Sequence, residues 1–307
     1  MKKLFLIVSV CAAVLLCGCA REFASQSGSD FEITDSTGSV SNVVKNARVV
    51  SCYGSFAQCW LLSGGTLVGV TDDAIKERGL SFDNDTEIIG TVKEINLEKL
   101  VSLEPDYVIL SSSIAGHEIV SKKLNDMGIP NGRFNIDSFD DYDNMMRQFC
   151  SYNNRSDLYE LNVERTRFSI DKILQKTPKE NQKTYILLRA YSTGIKVKTD
   201  NIADNIISRF ATNITEENPS MLEDLSVEEI IKQNPDYIFV LTMGSEKSAK
   251  EYLKSNVENN PAWNGLDAVK NGNYTILPKE LFHYKPNNRW DESYEYIAKI
   301  IYPEIYN

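Results

Sequence analysis

The chain has 307 residues, of which 42% are hydrophobic and 25% are charged, and its formal net charge at pH 7 is −10. This length is sufficient for one large domain or for two lobes. The acidic balance argues against a protein that binds nucleic acid or an anionic membrane surface.

The amino terminus has the pattern of a secreted lipoprotein. Two lysines precede an apolar run from Leu4 to Leu16, which is too short to cross a bilayer comfortably and predicts a signal peptide over residues 1–18. Residues 16–19 match a bacterial lipobox, so we expect Cys19 to carry a lipid; the alternative is an ordinary secretory signal with an incidental cysteine. The stretch 19–46 is rich in Ser, Asp, Thr and Gly and predicts a lipidated flexible tether. The folded part is therefore expected outside the cytoplasm, anchored to the cell membrane through the lipid alone.

Three cysteines remain beyond the lipidation site. Cys52, Cys59 and Cys150 are an odd number and lack the spacing of a metal site. A Cys52–Cys59 disulfide is possible in an oxidising compartment. Buried free thiols are the favoured interpretation.

From residue 47 onward, short apolar runs alternate with helical periodicity, which is typical of a mostly parallel sheet covered by helices. An N-terminal α/β lobe over 47–152 is predicted to contain strands at 48–51, 66–70, 107–110 and 133–136 and helices at 56–62, 97–103, 117–127 and 139–150. A C-terminal α/β lobe over 178–307 is predicted to contain strands at 184–188, 237–241 and 273–277 and helices at 201–210, 246–255 and 291–301.

The segment between the lobes predicts one long helix. Ser156 to Lys176 contains no Gly or Pro, and its apolar residues follow a helical period. A connecting helix over 153–177 would be about 30 Å long and would hold the lobes nearly rigid to each other. The predicted fold is therefore α/β, with two Rossmann-like lobes joined by one long α-helix and a ligand cleft between them.

An internal repeat supports two related lobes. Residues 96–110 recur without a gap as residues 226–240, and each copy reads as a capped short helix, a Pro-Asp turn and a buried strand. Each copy also places a glutamate, Glu98 or Glu228, in the first helical turn. On the residues alone, these carboxylates are expected merely to complement the helix dipole.

Together, the lipobox, the twin lobes, the connecting helix and the repeat resemble the substrate-binding lipoproteins of ABC importers. More narrowly, the chain resembles the helical-backbone class that captures ferric siderophores, cobalamin or haem, over residues 47–302. The run from Leu281 to Tyr294 is similar to the ligand-proximal loop and final helix of an iron-uptake branch. The resemblance implies that Glu98 and Glu228 pair with arginines of a permease dimer, and that the protein acts as a monomer without a resident cofactor.

Ligands of open α/β sheets bind beyond the carboxyl ends of the strands, so both lobes should present strand-end loops to the cleft. The candidate ligand-binding residues are Tyr53, Thr91, Ser112, Arg189, Tyr191, Met243, His283, Tyr284, Lys285, Arg289 and Trp290. Arg189 and Arg289 are suited to anionic oxygens, whereas Tyr53, Tyr191, Tyr284 and Trp290 could stack on a flat ligand. His283 could ligate a haem iron or corrin cobalt but is more often structural in type, and His117 is predicted to begin a surface helix.

These features favour capture of a metal chelate, most specifically a ferric siderophore-like anion. Cobalamin is the nearest alternative, and haem, with Tyr53 or His283 as an axial ligand, is the third. A free-metal site is disfavoured because the chain has two histidines. An enzyme is disfavoured because the sequence has no nucleophile elbow, Walker loop or zinc-protease motif. A non-transport surface lipoprotein is the alternative outside the importer class.

Overall fold

Two five-stranded sheets carry the fold of this computed structural model. The structure describes residues 31–82, 85–178, 183–197, 199, 201–215 and 227–306. The predicted two-lobed α/β architecture is confirmed. The predicted signal peptide and Cys19 lie outside the described residues.

A β-hairpin precedes the first lobe and corrects the predicted tether. Strands β1 (Phe31–Thr34) and β2 (Val40–Val43) pair antiparallel, and the side chains of Ile33 and Val43 are fully buried in the main core. The Asp35 carboxylate accepts hydrogen bonds from backbone N–H groups across its own turn and from the N–H of Arg133 at 2.8 Å. Residues 31–43 are therefore folded, because alternate apolar side chains bury one face of the hairpin and a capped turn closes it.

The N-terminal sheet is wholly parallel, with the strand order β5-β4-β3-β6-β7. Its strands are β3 (Val49–Ser51), β4 (Gly69–Val70), β5 (Glu87–Ile88), β6 (Tyr107–Ser111) and β7 (Asn131–Phe134). Its helices are α1 (Gly54–Leu62), α2 (Asp73–Lys76), α3 (Leu97–Ser102), α4 (Ala115–Asp126) and α5 (Phe139–Tyr152). The order reverses beside β3, so the loop after β3 lies at a topological switch point, where ligands of such sheets bind.

The connecting segment is helical from Ser156 to Lys176, inside the predicted range 153–177, and a π-helical turn interrupts the α-helix. It comprises α6 (Ser156–Tyr159), a π-helical turn (Glu160–Glu164) and α7 (Arg165–Lys176). The π-turn directs the Asn162 side chain toward both lobes: its amide nitrogen donates to the carbonyl of Leu62 at 3.1 Å, and its amide oxygen accepts from Asn288 at 3.4 Å. Such π-turns often occur at functional positions of helices.

The C-terminal sheet has the order β10-β8-β11-β12, and β9 pairs antiparallel with β8. Its strands are β8 (Thr184–Tyr191), β9 (Gly194–Val197), β10 (Thr212–Asn213), β11 (Tyr237–Thr242) and β12 (Tyr274–Ile276). Its helices are α8 (Ile202–Ile207), α9 (Val227–Gln233), α10 (Glu246–Leu253), α11 (Asp267–Lys270), α12 (Lys279–Phe282), α13 (Trp290–Ile301) and α14 (Pro303–Tyr306). A π-turn (Lys254–Glu258) extends α10, and 3₁₀ turns lie at Trp263–Gly265 and Asn287–Arg289.

The sequence repeat is matched by a structural repeat. Glu104 and Asn234 occupy equivalent places after α3 and α9 and have φ values of 47° and 43°, in the left-handed region. The following aspartates, Asp106 and Asp236, each accept a 2.8 Å hydrogen bond from the backbone N–H at the start of the neighbouring strand. Each Pro-Asp turn thus fixes the register between a central strand and its parallel neighbour.

One hydrophobic core runs through both lobes. It includes Phe56 and Phe149 of the first lobe, Tyr185 and Ile297 of the second, and side chains of the connecting helix. Smaller clusters cover the outer faces of the two sheets. Because a shared core resists relative displacement of its parts, this packing agrees with the small lobe motion expected from the connecting helix.

Candidate ligand-binding site

The loop after β3 begins the site in the N-terminal lobe. Tyr53 is half-buried, precedes α1 and contacts the Phe56 ring edge-on at 4.9 Å between centroids. Burial raises the pKa of Tyr53, so its hydroxyl remains protonated. The next residue is glycine because a Cβ at Gly54 would lie 2.6 Å from the backbone nitrogen of Ala74. The Asp73 carboxylate accepts the Gly54 N–H at 2.8 Å and thereby holds α2 beside this loop.

The other predicted contacts in this lobe lie on exposed loops. The Thr91 hydroxyl accepts the N–H of Glu94 at 3.0 Å, and the Ser112 hydroxyl donates to the carbonyl of Phe134 at 3.3 Å. Both side chains are exposed. Their contact with a ligand remains a prediction.

In the C-terminal lobe, β8 and β11 carry the predicted residues to the carboxyl edge of the sheet. Arg189 and Tyr191 lie in the last three residues of β8, and Met243 follows β11 with its N–H bonded to the carbonyl of Ala190 at 2.8 Å. All three predicted side chains are half-buried. This edge is the switch point of the second sheet, since β8 separates β10 from β11.

The loop that follows α12 crosses to the N-terminal lobe. The Tyr284 hydroxyl donates to the carboxylate of Glu77, and the Lys285 ammonium donates to the carbonyl of Ile136 and lies 3.3 Å from the Asp137 carboxylate. Lys285 is buried, and this burial lowers its pKa. The two side chains therefore join the lobes, and Lys285 brings a cation into the interior.

Positive charges surround His283. Its pKa is lowered to about 4, first by burial and then by nearby cations. These cations are, in order of effect, Lys279, Arg189 and Lys285, whereas the carboxylate of Glu77 acts in the opposite direction. His283 is therefore a neutral imidazole at pH 7 within a cationic environment.

Two guanidinium groups approach this region from opposite lobes. Arg189 lies in β8, and Arg78 follows α2 in the loop beyond β4. In each, the Nε atom is buried and has no hydrogen-bond acceptor among the described residues. Arg78 also acts electrostatically on Tyr53 and Tyr284, so it lies near both tyrosines. A buried guanidinium N–H without an acceptor is costly unless an anion completes it.

Arg78 and Lys279 were missed from the sequence. Arg78 belongs to a loop beyond a parallel strand, the same signal that selected Tyr53, but α2 separates it from the end of β4. Lys279 begins α12, whose last two residues are the first two of the predicted 281–294 run. Both positions could have been found by treating every strand-end loop alike.

Three predictions need correction or restriction. Trp290 cannot stack on a ligand here, since it is fully buried and packs edge-on against Phe139 at 6.1 Å. Arg289 forms a bidentate ion pair with Glu292, with a shortest N···O distance of 2.7 Å. The guanidinium of Arg289 therefore already has an acceptor. His117 is fully buried rather than on the surface: Nδ1 accepts the N–H of Ser111 and Nε2 lies 2.8 Å from a carbonyl.

The cysteines and the two predicted docking glutamates lie in different environments. Cys52, Cys59 and Cys150 are buried free thiols. Glu98 is exposed in the first turn of α3, whereas Glu228 lies in α9 and its side chain is outside the described part. In the described ranges, no group of three or more His, Cys, Asp or Glu side chains is arranged for a metal ion. No helix in those ranges has the length and apolar character to cross a membrane.

Two α/β lobes, a helical connection and Arg, Lys and Tyr side chains near the carboxyl ends of the strands are typical of a solute-binding protein. A family model described as "Periplasmic binding protein" matches residues 49–281, and the chain belongs to that family. It is similar to the Fe(3+)-citrate-binding protein YfmC of Bacillus subtilis, with 25% identity over 99% of this chain and 98% of that protein. Similarity to the petrobactin-binding protein YclQ of the same organism is 25% over 92% and 93%.

Solved structures show the same fold. The heme complex of IsdE from S. aureus matches with a TM-score of 0.69 and 19% identity, covering 83% of this chain and 99% of that one. The predicted membership of the ABC-importer substrate-binding proteins is therefore confirmed.

Proposed function

We propose that this protein captures an anionic ferric chelate between its lobes and delivers it, without catalysis, to the permease of an ABC importer. The observation that carries the proposal is the pair Arg78 and Arg189, whose buried Nε atoms have no acceptor among the described residues. An unsatisfied buried donor costs about 1–3 kcal/mol, and more if it is charged. An anionic ligand that accepts from both groups would recover this free energy, whereas a ligand without anionic oxygens would leave it uncompensated.

A chelate suits the site better than a free ion. The described residues bring Arg, Lys and Tyr side chains to the cleft rather than a set of metal ligands. The oxygen or nitrogen ligands of the iron would therefore come from the chelator, and the protein would recognise the outer oxygens of the complex. The printed names of the Bacillus relatives, which bind Fe(3+)-citrate and petrobactin, support this ligand class.

Haem is the second candidate, and one observation favours it. His283 is neutral at pH 7 and lies in the cationic part of the cleft, so its imidazole is in the form that binds iron. Haem would also present carboxylates to the arginines. The fold shared with a heme-bound structure is compatible with this alternative. Cobalamin stays an alternative, without a specific observation in its favour.

Membrane anchoring and docking form the remaining part of the proposal. The lipid would be attached at Cys19, and the protein would act outside the cytoplasm as a monomer. Glu98 and Glu228 would contact arginines of the permease dimer, one from each lobe. The equivalent positions of these two residues in the structural repeat support a two-fold mode of docking.

A ligand panel tests the proposal. Purified protein would be titrated with ferric citrate, haemin and cyanocobalamin by calorimetry, with absorption spectra recorded in parallel. We expect saturable one-to-one binding of ferric citrate that weakens as KCl is raised, because the contacts are ionic. Tight binding of cyanocobalamin alone, or a haemin complex with an axial imidazole spectrum and no ferric citrate binding, would replace the proposal with the corresponding alternative. No saturable binding of any of the three would refute the proposed ligand.

A further inference from the structure

One buried asparagine joins the C-terminal loop to the first helix of the other lobe. Asn287 is fully buried, and its φ of 57° places its backbone in the left-handed region, which asparagine tolerates better than most residues. Its amide nitrogen donates to the carbonyl of Ser55 at 3.0 Å and to Oε1 of Gln58 at 2.7 Å. Its amide oxygen accepts from the Cys59 thiol at 3.3 Å.

Gln58 connects this asparagine to Arg78. Its Oε1 accepts from the Asn287 amide and also from a terminal nitrogen of Arg78. A carboxamide oxygen has two lone pairs, so it can accept both bonds at once. The three side chains therefore form a continuous path from the C-terminal lobe, through α1, to a guanidinium in the cleft.

The orientation of both amides follows from their partners. A backbone carbonyl can only accept, so the nitrogen of Asn287 must face Ser55. A guanidinium can only donate, so the oxygen of Gln58 must face Arg78. Rotation of either amide would bring two acceptors or two donors together, and each arrangement therefore fixes the other.

We propose that Asn287 and Gln58 are positioning residues that hold the Arg78 guanidinium in its place in the candidate site. The expected effect of these residues on ligand affinity rests on the proposed function. Loss of the Asn287–Gln58 hydrogen bond would leave Gln58 free to turn away from Arg78. Ligand recognition by the N-terminal lobe would thus depend on a contact made by the C-terminal lobe.

A double-mutant cycle tests this coupling with ferric citrate as the probe. Asn287→Gly removes the side chain and accommodates the positive φ, and Gln58→Leu keeps volume while removing the acceptor. Each should weaken binding by roughly threefold to tenfold, as expected for one hydrogen bond. Neither should weaken it further in an Arg78→Ala background. Equal losses of affinity in the unaltered and the Arg78→Ala backgrounds, or no loss in the unaltered background, would overturn the proposal.

A second readout needs no ligand. Modification of Arg78 by phenylglyoxal, followed by peptide mass spectrometry, reports how firmly the guanidinium is held. The reaction should be several-fold faster in Asn287→Gly and Gln58→Leu than in the unaltered protein. Asn288→Ala is the matched control, because its side chain bonds the connecting helix at 3.4 Å rather than α1.

The two measurements separate the two hypotheses. Faster modification without ferric citrate binding would refute the proposed ligand and retain the positioning role. Unchanged modification in both variants would refute the positioning role, whatever the ligand. Circular dichroism of each variant confirms that the fold is intact.

Discussion

Replacing Arg189 with alanine removes the guanidinium that β8 holds at the edge of the C-terminal sheet. Its Nε is buried without an acceptor among the described residues, so the side chain contributes a donor that the protein itself does not satisfy. A hydrogen bond to a charged group contributes about 1.5–3 kcal/mol. Since about 1.4 kcal/mol corresponds to a factor of ten, Arg189→Ala should weaken ferric citrate binding by roughly 10- to 150-fold.

Two further variants make this result specific. Arg189→Lys retains the charge but loses the planar fork, so an intermediate loss is expected. Arg289→Ala removes a guanidinium that Glu292 already engages at 2.7 Å, and its effect should be less than about threefold. Calorimetric titration at pH 7.5 measures the three dissociation constants. An unchanged affinity for Arg189→Ala, or equal losses for Arg189→Ala and Arg289→Ala, would refute the assignment of Arg189 to the ligand.

The remaining predictions concern docking, protonation and the buried lysine. Reversal of both Glu98 and Glu228 to Lys should abolish iron uptake by cells and leave the dissociation constant of the purified protein unchanged; normal uptake would exclude these residues from docking. His283 has a folded-state pKa of about 4, below its unfolded value, so the neutral form contributes stability that is present above pH 6.5 and is lost as the pH falls toward 4. That contribution is about 3 kcal/mol from the size of the shift. Urea unfolding between pH 7 and pH 4.5 should therefore show a shallower pH dependence in His283→Asn than in the unaltered protein, and parallel curves would contradict the environment described. Lys285→Met should weaken ferric citrate binding about tenfold and should also lower the free energy of unfolding by about 1–3 kcal/mol, because the Ile136 carbonyl and the Asp137 carboxylate lose their donor. Unaltered binding with a large loss of stability would make Lys285 a structural residue that pairs with Asp137.

Histidine resonances offer an independent check on the cationic cleft. The chain contains two histidines, His117 and His283, so imidazole NMR signals can be assigned by one substitution. Burial lowers the pKa of both, but the neighbouring cations act on His283. In Arg189→Ala the pKa of His283 should rise and that of His117 should stay unchanged.

Much of the architecture follows from patterns that are local in the sequence. The helix–Pro-Asp–strand repeat predicted that α3 is followed by β6 and that α9 is followed by β11. A helix with one apolar face and an apolar strand are both local patterns, so each copy could be recognised in the sequence. The connecting helix was predictable from a long segment without Gly or Pro. The hairpin at 31–43 was missed because its polar turn residues outweighed two short alternating strands, although Ile33 and Val43 are the side chains that bury it.

The candidate site was only partly predictable. Arg189, His283 and Lys285 were selected because they follow parallel strands or lie in the 281–294 run, and the structure brings them together. Trp290 has an aromatic ring suited to stacking, but its position at the start of α13 directs that ring toward Phe139 and into the core. A one-dimensional pattern gives the local element and does not give the direction of a side chain at its end.

The sequence by itself determined the two related lobes and the helix between them, since these depend on periodicity and on residues close along the chain. The tertiary structure alone decided which charges lack partners and which side chains join the lobes. Arg78 meets Asn287 through Gln58 although more than two hundred residues separate them, and the pKa of His283 is lowered first by burial and also by Arg189 of β8, which is distant in the sequence. Electrostatic interactions and hydrogen bonds act through space, so the properties of the cleft arise only when folding brings these segments together.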